Sequence, residues 1–194
     1  LIAIMAAQRT SEAKMPEVPA DSGGPSAISM ENCCRSIRDA IVHTAERTGF
    51  RGRWEQILAE PLVICDIGHN EHGLKYNFAQ LRQMQNSGEV SKLIIVYGSV
   101  ADKDVDAAVS LFPENAVYIF TRAQGKRAMP AEAVCEKYLA MCASRDCTPS
   151  ETYCLDDVGD AVRLALSMSG DCQGSASDRP LVYIGGSTYV VSEA

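Results

Sequence analysis

The chain predicts an α/β fold: a Rossmann-like, doubly wound, mostly parallel sheet of about six strands with helices on both faces. Three observations predict it. Short apolar runs, among them Leu62–Cys65, Lys92–Tyr97, Ala116–Phe120 and Leu181–Ile184, alternate with longer segments of helical periodicity. The runs are near-continuous in Val, Ile and Leu, the pattern of strands covered on both faces rather than one. Three of them end in short polar or glycine-containing turns, at Asp66–Asn70, Gly98–Asp104 and Gly185–Ser187.

Taken in order, residues 1–9 read as the end of a helix. Residues 14–28, rich in Pro, Gly, Ser and Ala, read as a flexible linker. Ser29 suits a helix cap, and Cys34, Ile37, Ile41 and Ala45 fall on one face of a helix reaching about 43–48, with Gly49 as its stop. Trp54–Leu58 is a short strand candidate, and Leu62–Asp66 a fully buried, central one. Gly73 opens a helix over about 74–85 that carries Leu74, Phe78, Leu81 and Met84. Strand Lys92–Tyr97, helix Asp104–Phe112 and strand Ala116–Phe120 follow. Pro130 stands at a helix start, its favoured place, and that helix runs to about Cys142. Thr152–Leu155 reads as an edge strand, with Asp156 or Asp157 capping a helix to about Met168. After a polar loop over 170–179, strand Leu181–Ile184 turns through Gly185-Gly186-Ser187 into a terminal helix. The organisation is therefore 1–28, the end of a preceding helix plus linker, and 29–194, a single domain.

The totals exclude some classes. The formal net charge is −7, from 18 Lys and Arg against 25 Asp and Glu, which argues against nucleic acid or an anionic membrane as partner. No apolar run approaches the roughly 20 residues of a membrane span. The apolar start Leu1–Ala7 is too short for a leader, has no basic region before it and lacks Met at position 1, so the chain reads as a piece of something longer. Its eight cysteines include no C-x-x-C pair, and reduced thiols in a cytoplasmic protein are the expectation.

In a parallel sheet the three polar strand ends share one rim, where helix N-termini favour an anionic ligand. Asp66 can accept hydrogen bonds from ribose hydroxyls or an amine. Lys103 offers a point charge to phosphate or carboxylate. Ser187 can donate to an anionic oxygen. Plainer readings stay open: Asp66 and Asn70 as turn and cap residues, Lys103 as a solvated partner of its flanking aspartates, and Gly185-Gly186 as turn chemistry alone. Asp66, His69 and His72 lack a metal-ligand spacing, so no metal ligand is assigned. The chain contains no G-x-x-x-x-G-K-[ST] phosphate loop, no G-x-G-x-x-G after a strand and no G-x-S-x-G elbow.

The segment Thr48–Glu55 with its Gly52-Arg53 pair, then Pro61 to Gly73 with Asp66-Ile67-Gly68-His69-Asn70, resembles the C-terminal domain of the folylpolyglutamate synthase/dihydrofolate synthase family, members of the Mur ligase superfamily. The family pattern there is Asp-Gly-Ala-His-Asn, so Ile67-Gly68 replaces Gly-Ala. The likeness continues at Gly98 and Ala101-Asp102-Lys103-Asp104, at Arg127-Ala128, and at Gly186-Ser187-Thr188-Tyr189-Val190.

The resemblance implies an ATP-dependent ligase that joins L-glutamate to dihydropteroate or a folate through an acyl phosphate. It implies ATP and Mg2+ as cofactors, with the phosphate loop, magnesium ligands and most of the pterin site in an N-terminal ATPase domain that this sequence lacks, so the chain alone is expected to be inactive. Arg53 and Asp66 stand at the family's nucleotide-contacting Arg and Asp, and His69 and Ser187 at positions implicated in activity. Lys103 is a further electrostatic contributor. Two rivals remain: a Rossmann- or flavodoxin-like nucleotide-binding module without catalysis of its own, and a superfamily ligase with a cell-wall substrate, against which the Asp-x-Gly-His-Asn turn speaks.

Overall fold

The computed structural model describes residues 30–170 and 179–194. Contacts divide the chain into two compact units, residues 1–51 and 52–194. The helix end expected over 1–9, the linker over 14–28, the boundary at 28/29 and most of the loop over 170–179 lie outside the described residues.

In the first unit, α1 spans Met30–Val42 and α2 Thr44–Thr48. The single helix expected to about 43–48 is interrupted at His43, whose ψ of 14° departs from helical geometry. Asp39 secures the junction, pairing with Arg47 at 2.6 Å and with His43 Nδ1 at 3.1 Å. The Arg47 guanidinium lowers the Asp39 carboxyl below its ordinary pKa. Gly49 ends α2 in the left-handed conformation, its N–H donating to the Ala45 carbonyl, the stop that the sequence leads one to expect. The apolar face is not a core here: Cys34 and Ile37 are exposed, and neither helix has a buried residue.

The second unit is a six-stranded sheet with helices on both faces. Its strands are β1 (Glu55–Leu58), β2 (Leu62–Asp66), β3 (Lys92–Tyr97), β4 (Ala116–Thr121), β5 (Thr152–Leu155) and β6 (Pro180–Gly185). The order is β1-β2-β6-β3-β4-β5; β1 runs antiparallel to β2 and every other pairing is parallel. The expected doubly wound, mostly parallel architecture is therefore present. Strand β2 is interior but not central, because the chain adds the hairpin partner β1 outside it. The centre belongs to β6 and β3, and the apolar run in β2 reflects coverage of its two faces rather than rank in the sheet.

The helices are α3 (Glu71–Asn86), α4 (Val105–Val109), α5 (Ala131–Ser144), α6 (Val158–Gly170) and α7 (Thr188–Glu193). Alternate strand residues feed opposite layers, because successive side chains of a strand point to opposite faces. Leu93, Ile95 and Tyr97 pack with α3, α4 and α5, whereas Ile94 and Val96 pack with α6 and Val190 of α7. Phe112 anchors the first layer: its ring stacks on Tyr118 at 4.9 Å and meets Tyr97 and Phe78 edge-on at 5.0 and 5.3 Å. Helix α4 is shorter than the expected 104–112 because its chain leaves the helix after Ser110 to deliver Phe112 to this cluster ahead of Pro113. Trp54 is not in a strand; its φ is 47°, in the left-handed region.

Candidate functional site

The register across β2, β6 and β3 sets the site. Asp66 pairs with Gly185, and Gly185 with Tyr97, so three adjacent parallel strands end at one level. The turns that follow, at Ile67–Asn70, Gly186-Ser187 and Gly98–Asp104, consequently lie on one rim. The antiparallel partner contributes there as well, since Glu55 pairs with Cys65 and places Arg53-Trp54 beside Asp66. A fourth turn, after β4, is tied to the third: Ala101 N donates to Arg127 O, and Met129 N to Ser99 O.

Asp66 organises the first turn. It is 3% exposed, and its carboxylate takes three hydrogen bonds: Oδ1 from Gly68 N at 2.7 Å and Asn77 Nδ2 at 2.7 Å, Oδ2 from Trp54 N at 2.8 Å. A buried carboxylate persists when donors replace its lost water in this way. The Gly52-Arg53-Trp54 turn is thereby locked to the end of β2. Ile67 N donates to Gly52 O at 2.8 Å, and Gly52 N to Glu55 Oε2 at 2.7 Å. Position 52 requires glycine, because its φ is +76° and a Cβ there would meet Ile67 Cγ2 at 2.8 Å. Arg53 itself is exposed on the rim.

Asn70, not Gly73, begins α3: its side chain accepts from Gly73 N at 2.8 Å as a helix cap. The exposed His69 just before it directs Nδ1 at Ile67 O, 3.0 Å away. That acceptor requires the proton on Nδ1 and leaves Nε2 as the acceptor of the neutral ring. Ser187 is 4% exposed and caps α7, its Oγ accepting from Tyr189 N at 3.2 Å while its hydroxyl proton remains to donate. Gly186 lets the strand ends close up: its φ is +93°, and a Cβ would lie 2.5 Å from Gly98 O. Lys103 is exposed in the third turn, and among the described ion pairs none involves it, so Asp102 and Asp104 do not hold its ammonium. Asp104 instead caps α4, accepting from Ala107 N at 2.9 Å.

The structure thus brings all five residues singled out in the sequence, Arg53, Asp66, His69, Lys103 and Ser187, to one edge of the sheet. Asp66 and Ser187 are buried there, and Arg53, His69 and Lys103 are exposed. Asn77 and Tyr183 escape sequence reading, because Asn77 sits within an amphipathic helix pattern and Tyr183 within an apolar strand. Asn77 Nδ2 also donates to the Tyr183 hydroxyl at 2.9 Å. Burial, with the Asp66 charge as second cause, holds the Tyr183 phenol well above its ordinary pKa. Arg127 joins the rim too, donating to the Tyr189 hydroxyl at 2.7 Å.

The donor set is cationic and rich in N–H and O–H groups, which suits a polyanion. Among the described residues no group of three His, Cys, Asp or Glu side chains is placed to hold a metal ion. No helix among them is long and apolar enough to cross a membrane.

Comparison with known proteins places the fold. The family described as "Mur ligase, glutamate ligase domain" matches residues 52–175. A probable bifunctional folylpolyglutamate synthase/dihydropteroate synthase of Haloferax volcanii is 28% identical over 165 residues, covering 82% of this chain and 18% of that protein. Folylpolyglutamate synthase of Mycobacterium tuberculosis, solved with ADP and AMPPCP, superposes with a TM-score of 0.59 at 24% identity over 74% of this chain and 30% of that one. The bifunctional folylpolyglutamate synthase/dihydrofolate synthase of Yersinia pestis, solved with AMPPNP and Mn, gives 0.57 at 24% identity over the same shares. The chain therefore spans less than a third of the length of these relatives.

Proposed function

The chain belongs to the Mur ligase glutamate-ligase domain family, and on that premise we propose that it is the C-terminal domain of an ATP-dependent ligase that adds L-glutamate to dihydropteroate or a folate. The observation that carries this reading is the common level of the β2, β6 and β3 ends, with the five rim residues in or beside the turns at that edge. A domain of this kind acts by orientation: it holds nucleotide and amine against an acyl phosphate formed on a separate domain.

ATP supplies the phosphoryl group that converts the substrate carboxylate to an acyl phosphate. The glutamate amine then attacks the acyl carbon, the bond from that carbon to the phosphate oxygen breaks with its electrons on the leaving inorganic phosphate, and the phosphate takes up the amine's proton. Arg53 neutralises nucleotide phosphate charge by contact, and Asp66 serves the same contact by fixing the turn that carries Arg53. His69, with Nε2 as acceptor, receives a hydrogen bond from the glutamate amine. Ser187 donates its hydroxyl to an anionic oxygen of glutamate or the acyl phosphate. Lys103 adds positive potential at the rim. The set fits ATP and not Mg2+, since it presents cations and donors rather than clustered carboxylates; the magnesium ligands and phosphate loop belong to an N-terminal ATPase domain. The ligase domain is the sheet unit, residues 52–194, and 1–28 form part of its connection to that partner, in a cytoplasmic enzyme with no nucleic-acid or membrane partner.

ADP release is the direct test. The 194-residue chain alone is expected to release none above background, whereas a polypeptide that also carries the ATPase domain releases ADP only with both glutamate and a folate or pteroate present. Folate- and glutamate-dependent ADP release by the isolated chain contradicts the division of labour. Its absence from the complete polypeptide contradicts the ligase reading and favours a non-catalytic nucleotide-binding module.

A further inference from the structure

Behind the rim lies a buried polar pair that the proposed reaction does not use directly. Asn77, in the second turn of α3, is 0% exposed. Its Nδ2 donates to Asp66 Oδ1 at 2.7 Å and to the Tyr183 hydroxyl at 2.9 Å. The amide cannot face the other way, because a carboxylate only accepts. The cost is visible: Asn77 Oδ1 is buried without a donor. An orphaned acceptor in a core is destabilising, and an apolar residue would avoid it.

The other end of the contact explains what the amide does there. Asp66 Oδ2 receives the Trp54 N–H. Trp54 is held at φ 47°, a conformation that a bulky residue adopts only when its surroundings impose it. Residue 53 precedes it, so the Asp66–Trp54 bond sets the backbone from which Arg53 extends. A second observation points to the same joint. A Cβ at Gly68 would lie 2.7 Å from Asp66 Oδ1 and 2.9 Å from Asn77 Nδ2. The glycine at 68, where the resembling pattern has alanine, is thus the space that the Asn77–Asp66 pair occupies.

We infer that Asn77 is a positioning residue for Arg53: it clamps Asp66 Oδ1 from the helix side, aims Oδ2 at the Trp54 amide, and so fixes the strained turn that presents Arg53 to the nucleotide. This rests on the reading of Arg53 as a nucleotide contact, and the test separates the two.

Trp54 is the chain's single tryptophan, so its fluorescence reports on the turn. Asn77→Leu removes the clamp, and Gly68→Ala crowds it from the opposite side, which keeps the test intact if either variant folds poorly. Each is expected to shift Trp54 emission in the 194-residue chain. In the complete ligase each is expected to raise the KM for ATP roughly tenfold, with kcat and the KM for glutamate within about threefold of wild type. Tyr183→Phe, which loses only the second acceptor, is expected to leave both readouts near wild type. Wild-type emission and ATP KM in Asn77→Leu and Gly68→Ala overturn the inference. So does a uniform decline in all kinetic parameters, or a Tyr183→Phe variant as impaired as Asn77→Leu, since both place the effect in general packing. Arg53→Ala separates the premise: if it raises the ATP KM while the Asn77 and Gly68 variants do not, only the inference fails. If Arg53→Ala leaves the ATP KM unchanged, the nucleotide reading fails and the inference with it.

Discussion

Arg53 and Asp66 stand side by side in space through the Trp54 backbone amide, which the Asp66 carboxylate holds. Asp66 Oδ2 holds the N–H of residue 54, and the arginine precedes that residue. Both substitutions should therefore act on nucleotide binding, by different routes. Arg53→Ala should remove the proposed charge-assisted contact, worth on the order of 1.5–3 kcal/mol, and lower kcat/KM for ATP about 10- to 150-fold. Asp66→Ala should match that loss and also lower stability, because it strands the Gly68 and Trp54 amides and the Asn77 amino group; a drop in urea midpoint seen for Asp66→Ala and not for Arg53→Ala is the expected signature. At this scale the sequence was informative about identity and poor about role. Asp66, His69 and Ser187 are legible as polar residues at strand ends. That Asp66 is 3% exposed and bonded three times is not legible, because its partners lie 2, 11 and 12 positions away in three separate elements.

Elements end where a side chain satisfies their free amides or where a core residue pulls the chain away. Asn70, Asp104 and Ser187 each accept a hydrogen bond from the first turn of the helix that follows, and Asp157 Oδ1 does the same for Asp160 N at the start of α6. Asn70→Ala should cost about 1 kcal/mol of stability, with faster amide exchange confined to the first turn of α3; unchanged protection there would contradict the cap. Strands were legible to within a residue or two, because an uninterrupted Val/Ile/Leu run leaves little freedom. Helix ends were less so. The length of α4 depends on Phe112 being drawn into an aromatic cluster with Tyr97 and Tyr118, a tertiary event with no local signal. The left-handed turn at Trp54 likewise depends on a carboxylate twelve positions later. The rank of β2 in the sheet depends on a hairpin partner whose own sequence is only four residues long.

For the sheet unit as a whole, the buried tyrosines predict an alkaline limit. Tyr97 is 1% exposed, and burial pushes its phenol up to about 12; burial also raises Tyr118 and Tyr183. A raised folded-state pKa means that the folded protein keeps the proton longer than the unfolded chain. The stabilisation is complete below the unfolded value near pH 10 and is lost as pH rises from there through about 12. Tyr97 alone accounts for about 3 kcal/mol over that window. A spectrophotometric titration should show these tyrosines ionising together with cooperative unfolding, after the exposed ones; independent ionisation in a folded chain would contradict their burial.

If this rim serves glutamate ligation, the product is heavier by glutamyl residues, which mass spectrometry detects. The complete polypeptide, given ATP, Mg2+, L-glutamate and dihydropteroate or a folate, should yield the substrate extended by glutamyl residues. Ser187→Ala and His69→Ala should reduce that yield through the KM for glutamate, and Arg53→Ala through the KM for ATP. A polypeptide that forms no glutamylated product, or whose rim variants all form it at the wild-type rate, would rule out glutamate ligation at this rim.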